Sequence, residues 1–111
     1  MTINAKVLIP AKIAEGSQTT QYTATGVTTI IDKFTATNYS ASAANISVNL
    51  VTSADTAGNQ NLITKSKVLQ ASEVYTFPEI VGHILASGGF ISTIAGTGSA
   101  INIRASGREI S

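Results

Sequence analysis

The sequence predicts an all-β fold: a single antiparallel β-sandwich, jelly-roll-like domain of about eight short strands with one short helical turn near residues 79–85. Three observations predict it. Apolar and polar residues alternate at a period close to two almost throughout, the signature of strands with one face in a core and one in solvent. Gly-, Ser-, Asn- and Asp-containing turn signals recur about every ten residues. The composition is 43% hydrophobic but only 12% charged, with Thr, Ser, Asn and Ala where Lys and Glu usually stand, and β-branched residues suit a pleated, half-buried surface. A chain of 111 residues holds one modest core, burying roughly two thirds of its unfolded surface. Residues 1–111 are therefore one domain, with 1–26 set apart as an arm or edge segment.

Taken in order, Ile3 to Ile9 is the first strand. Ile3, Ala5, Val7 and Ile9 share a face, and Pro10 ends the run because it has no N–H to give to a ladder. A short strand around Tyr22 follows, and then a long extended run from Val27 to Tyr39. Asp32 interrupts the apolar face of Ile30, Phe34 and Ala36, and a β-bulge there lets the register slip by one residue. Asn45 to Thr52 is the clearest strand, with Ile46, Val48 and Leu50 on one face and Asn45, Ser47 and Asn49 on the other. Ser53 to Gln60 is a loop. Leu62 to Leu69 is a strand carrying Lys65 and Lys67 on its outer face. A turn at Ala71 and Ser72 leads to Val74–Phe77.

The stretch PEIVGHILASGG, Pro78 to Gly89, departs from the two-residue period. Ile80, Val81, Ile84 and Leu85 recur at helical spacing, with Pro78 at the start and Gly88 past the end, which predicts one helical turn plugging an open end of the sandwich. His83 then lies on the solvent side. Phe90–Ala95 is a strand, GTGS at Gly96–Ser99 a tight turn, and Ala100–Ala105 its hairpin partner. Gly107 is expected to kink the last strand.

Composition and spacing also narrow the function. No cysteine is present, so disulfides, thiol chemistry and Cys zinc sites are excluded. Lys6, Lys12, Lys33, Lys65, Lys67, Arg104 and Arg108 are scattered, the net charge is +1, and no basic stripe suits nucleic acid. Sparse charge does little to repel neighbouring copies, which favours self-association. No segment approaches the length of a membrane span, and Val7–Ile9 is too short an apolar run for the core of a signal peptide, so synthesis and folding in the cytoplasm are expected.

His83 and Glu79 stand four apart, a spacing that suits a metal or an acid/base pair on a helix, but a zinc site needs three or four ligands. The other acids, Glu15, Asp32, Asp55, Glu73 and Glu109, show no ligand spacing. No Ser lies in a nucleophile turn, and the loop with Asp55 is a plain connection, not a calcium site. The expected catalytic, cofactor-binding and metal residues are therefore none, with no cofactor. Tyr75 and Phe77 alternate onto one face, as a core or interface pair or as a stacking platform. Ile80, Val81, Ile84, Leu85, Tyr75 and Phe77 are the candidate interface residues.

From Val27 to the C-terminus the chain resembles small virion structural proteins of tailed bacteriophages. The resemblance lies in the FTATN strand with its Ser/Ala turn, VNLV, a polar loop and ASEVYTFPEIVGHIL, followed by a Gly pair, IST and the closing AINIRASGREI. It implies a non-enzymatic β-sandwich subunit of the virion, made in the host bacterial cytoplasm. Such a subunit decorates a capsid or joins a tail or neck component. Its implied partners are other copies of itself, as a homo-oligomer, and neighbouring virion proteins, with no nucleic acid and no membrane. The alternatives are a binding module for a glycan or host-surface polymer, with Tyr22, Tyr39 or Tyr75 as contacts, and an enzyme using His83.

Overall fold

The computed structural model describes residues 1–111 as nine strands. They are β1 (Ile3–Ile13), β2 (Thr19–Thr23), β3 (Thr28–Asn38), β4 (Ala44–Val51), β5 (Leu62–Leu69), β6 (Val74–Thr76), β7 (Ile84–Leu85), β8 (Phe90–Ala95) and β9 (Ile101–Ile110), with one 3₁₀ turn at Asn59–Asn61. Two antiparallel sheets pack face to face. Sheet 1 runs β1-β9-β3-β6, with β7 also paired to β3, and sheet 2 runs β2-β8-β4-β5. Apart from the β4–β5 hairpin and the short step from β6 to β7, every connection crosses between the sheets. That interleaving of two Greek keys is the jelly-roll topology.

Alternation builds the core. Ile101, Ile103 and Ala105 of β9 and Ile31, Phe34 and Ala36 of β3 face Ile46 and Val48 of β4 and Ile91 and Ala95 of β8. The register of β3 slips between Ile31 and Lys33, so the bulge expected near Asp32 is present. Odd residues face inward before it and even residues after it, and Asp32 swings outward to a bidentate pair with Arg108, both contacts 2.9 Å. Gly107 lies opposite the bulge, where a Cβ would collide with the Ile30 carbonyl and the Leu8 side chain. Its role is close approach and not a kink, because β9 runs unbroken through it.

Three expectations need correction. β1 does not end at Pro10 but runs to Ile13. It is an edge strand whose register shifts between Val7 and Ile9 and again between Ile9 and Lys12, and a proline is tolerated at a bulge on an edge. GTGS does not close a hairpin. β8 pairs with β2 and β4 whereas β9 pairs with β1 and β3, so the turn carries the chain from the middle of one sheet to the middle of the other, a gap of about 10 Å between packed sheets. Lys67 is not on the outer face. Ser66, at φ 48°, sits in a bulge that puts Thr64 opposite Val48 and Lys67 opposite Ile46, which turns both inward at the margin of the sandwich.

The segment 79–85 is not helical: it is a hydrogen-bonded turn that runs into a short strand. Phe77 C=O accepts from Ile80 N–H at 3.1 Å and Val81 N–H at 3.2 Å, one turn that stops at Gly82 with φ 90°, and β7 begins at Ile84. The turn is anchored to β3: Gly82 N–H donates to Ile31 C=O and Ile31 N–H to His83 C=O. Phe77, Ile80 and Leu85 are buried in the core. Ile84, paired with Ile30 on the outer face of sheet 1, is 64% exposed and Val81 38%.

The division predicts opposite outcomes for two substitutions. Ile80→Asp puts a carboxylate in the core and is expected to cost about 3 kcal/mol or more in urea unfolding. Ile84→Asp is expected to stay within about 0.5 kcal/mol of the parent, as exposed positions do. Equal losses would show that the outer side of the turn is also packed.

Candidate functional site

A two-sheet sandwich leaves two long margins where the core meets water, and here each margin is closed by the same four residue types. On the β5/β6 side Glu79 is the hub. Its carboxylate accepts from Thr64 Oγ1 at 2.7 Å and from Tyr75 OH at 2.9 Å. The Lys67 ammonium lies 4.5 Å from the centre of the Tyr75 ring, a cation–π contact. Tyr75 stacks edge-on against Phe77 at 4.7 Å, and Phe77 against Phe34 at 4.9 Å, so the polar clasp is tied directly to the core. Burial pushes the Glu79 carboxyl up, but the hydrogen bonds from Thr64, the backbone and Tyr75, with the charge of Lys67, outweigh it and hold the group below its ordinary range.

On the β1/β2 side Glu109 is the hub. Tyr22 OH donates to its carboxylate and shares a 2.7 Å hydrogen bond with Thr29 Oγ1. Lys6 Nζ lies 3.4 Å from the same carboxylate. The Tyr22 hydroxyl, and then Lys6, hold Glu109 below its ordinary range against the opposing effect of burial. Burial first, and the Glu109 carboxylate second, push Tyr22 up to about 12.

Two further polar clusters hold connections. Asn38 donates to the Ser42 and Leu69 carbonyls and accepts from Ser40 N–H, fixing the crossing from β3 to β4. Asn49, on the outer face of β4, donates to Gly58 C=O at 3.0 Å and Asn61 Oδ1 at 2.8 Å, which folds the 52–61 loop over sheet 2. Asp55 lies in that loop, where its carboxylate accepts from Thr56 N–H and Gln60 Nε2. No buried side-chain polar atom lacks a partner.

The candidate interface residues are thus divided. Phe77, Ile80 and Leu85 belong to the chain's own core and offer nothing to a neighbour, Tyr75 is half-buried in the Glu79 clasp, and only Val81 and Ile84 stand outside. His83 is exposed, while Glu79 is committed to Thr64 and Tyr75, so the two are not brought together as an acid/base pair. Tyr22 is buried and is no surface contact. Both clasps escaped sequence reasoning, although a signal was available. Glu109 continues the inward column of Ile101, Ile103, Ala105 and Gly107, and a carboxylate on a core-facing column demands a partner.

The outer face of sheet 1 carries several of the exposed apolar side chains, Ile3, Val7 and Ile84 among them. Ala5, Arg108, Ile30 and Ile84 form one row across β1, β9, β3 and β7, and Ile3, Ile110 and Thr28 the next. Further along the same face, Ala11, Lys33, Thr35, Thr37, Asn102, Arg104 and Ser106 line an open groove of about 360 Å³. Its two cations take part in none of the chain's three ion pairs, Lys6–Glu109, Lys12–Glu15 and Arg108–Asp32. No protein-family model, curated protein or solved structure matches this chain.

The Tyr22–Glu109 clasp makes stability depend on pH at both extremes. Tyr22 titrates higher in the fold than its ordinary 10.0, so its contribution is full below that pH and is lost as pH rises towards about 12. Tyr75, also raised, acts in the same sense. Glu109 is lowered, so its contribution is present above its ordinary value and is lost as pH falls through the folded one. Tyr22→Phe is expected to cost about 1 kcal/mol at neutral pH and to flatten both limbs in urea titrations across pH. Unchanged limbs would remove the clasp from the stability of the fold.

Proposed function

We propose that this chain is a non-enzymatic structural protein of a tailed-phage particle, self-associating and docking on other particle proteins as a capsid decoration or as a tail or neck component. The observation that carries it is the outer face of sheet 1. Ile3 is 52% exposed, Val7 41% and Ile84 64%, on a broad strand surface with Ile30 and Ile110 between them. Association of this kind needs area and complementary shape, not activated side chains. Jelly rolls recur in capsid proteins as well as in lectin domains, a fold-level analogy in line with the sequence resemblance. The test is mass spectrometry of purified particles: the protein is expected in many copies, and Ile84→Asp, at an exposed position, is expected to lower its occupancy. Absence from the particles would overturn the proposal.

A binding module for a glycan or host-surface polymer is the alternative. The groove of Lys33 and Arg104 favours it, because two unpaired cations among three hydroxyls and an amide suit an anionic saccharide. With Tyr22 buried and Tyr75 clasped, Tyr39 is the remaining exposed tyrosine contact. A glycan array is expected to return acidic sugars whose signal falls in Lys33→Ala and Arg104→Ala, and a blank array would dispose of this role.

A further inference from the structure

The four margins of the two sheets are not equally protected. β2 spans five residues with a register shift between Thr20 and Tyr22, and β5 carries two bulges with Lys65 and Lys67 beside them. β6 and β7 span three and two residues. Short length, bulges and lysines are the ordinary means of blunting an edge. β1 has eleven residues, and its Pro10 and both register shifts lie in its second half. From Ile3 to Val7 it pairs with β9 in unbroken register, and its other margin is open.

The direction of the unpaired backbone groups follows from the ladder. Thr2 and Ser111 exchange both backbone hydrogen bonds, each 2.9 Å. Bonded pairs alternate in an antiparallel ladder, so Asn4 and Lys6 turn their backbone groups to β9, while Ile3, Ala5 and Val7 turn theirs to the open side. The far side of the sheet agrees: Ile31, opposite Gly107 in the non-bonded phase, gives its N–H and C=O to the 82–83 turn. The same three odd residues carry the outward apolar side chains of β1.

This margin is self-complementary. A second β1 laid antiparallel with a two-fold axis at Ala5 sets Ala5 against Ala5 and Ile3 against Val7 twice. Those are three bonded pairs, or about six hydrogen bonds. On the outer face the pairs are entirely apolar, and on the other face Asn4 opposes Lys6. An inward lysine ordinarily guards an edge, but Lys6 is already paired with Glu109 at 3.4 Å, so closing the edge buries no lone charge. A net charge of +1 sets up little repulsion between copies. We propose that two copies of this chain associate through an antiparallel β1–β1 contact over Ile3–Val7, with the two-fold axis at Ala5, joining sheet 1 of each copy into one continuous sheet. The contact gives a surface to the self-association proposed above but rests on the edge geometry alone. A failed pairing test leaves the particle role standing, and absence from particles leaves the pairing standing.

Ala5→Pro is the discriminating variant, because it removes an N–H that faces away from β9 and leaves the intrachain ladder whole. In sedimentation velocity over a dilution series the parent is expected to shift from monomer to dimer. Ala5→Pro, with an unchanged melting curve, is expected to raise the dimer Kd at least about tenfold. A cross-linking pair tests the axis independently of that fold. In a chain without cysteine, Ala5→Cys places two thiols about 5.5 Å apart between Cα atoms and is expected to give a disulfide dimer under mild oxidation. Val7→Cys alone, facing Ile3 of the other copy, is expected to associate without forming the disulfide-linked dimer. A parent that remains monomeric at its solubility limit, a dimer indifferent to Ala5→Pro, or equal cross-linking of the two cysteine variants would each overturn the proposal.

Discussion

Everything in this molecule depends on keeping water out of a thin apolar layer between two sheets. The layer is built from Ile, Leu, Phe, Val and Ala, with no cysteine to form a disulfide across it, so its stability comes from apolar area removed from solvent. A sandwich of this width has long margins in proportion to its core. The Glu79 and Glu109 clasps meet that difficulty with one chemical solution used twice. A tyrosine spans the margin with its ring on the core and its hydroxyl on a carboxylate, a threonine fills a remaining hydrogen-bond site, and a lysine covers the outside. The ring contributes packing and the hydroxyl contributes orientation, which a purely apolar plug at a wet edge would lack.

Much of the fold was legible because burial on one face imposes a period of two. Leu62–Leu69 has the same bounds in the sequence pattern and in the structure, Asn45–Thr52 differs from β4 by a residue at each end, and Asp32 marked its bulge by breaking an apolar column. What periodicity reports is which side of a strand is buried. It is silent on which sheet the strand joins, so Gly96–Ser99 reads as a hairpin when it is a crossing. It is equally silent on which strands lie at an edge, and edge placement is what lets β1 pass through Pro10.

The candidate site was legible in part. Pro78–Gly89 drew attention for its lone histidine, and the carboxylate beside it proved to be the residue with work to do. Glu79 holds Thr64, fifteen positions away, and Glu109 holds Tyr22, eighty-seven positions away. Separations of that size are set by topology, which spacing along the chain does not encode. Ile80 and Ile84 illustrate the same limit. Four residues apart and alike in chemistry, they end on opposite sides of a sheet because the turn stops at Gly82.

β9 lies between β1 and β3 at the centre of sheet 1, yet it is the last strand in the chain. During synthesis β1 and β3 emerge long before the strand that joins them, and most of the pairings that hold the sandwich connect residues far apart in sequence. Such topologies close slowly, since the entropy of large loops is lost before distant contacts repay it. Until β9 leaves the ribosome, the apolar faces of the earlier strands have no completed sheet to join, and the open margin of β1 has a twin on its other side.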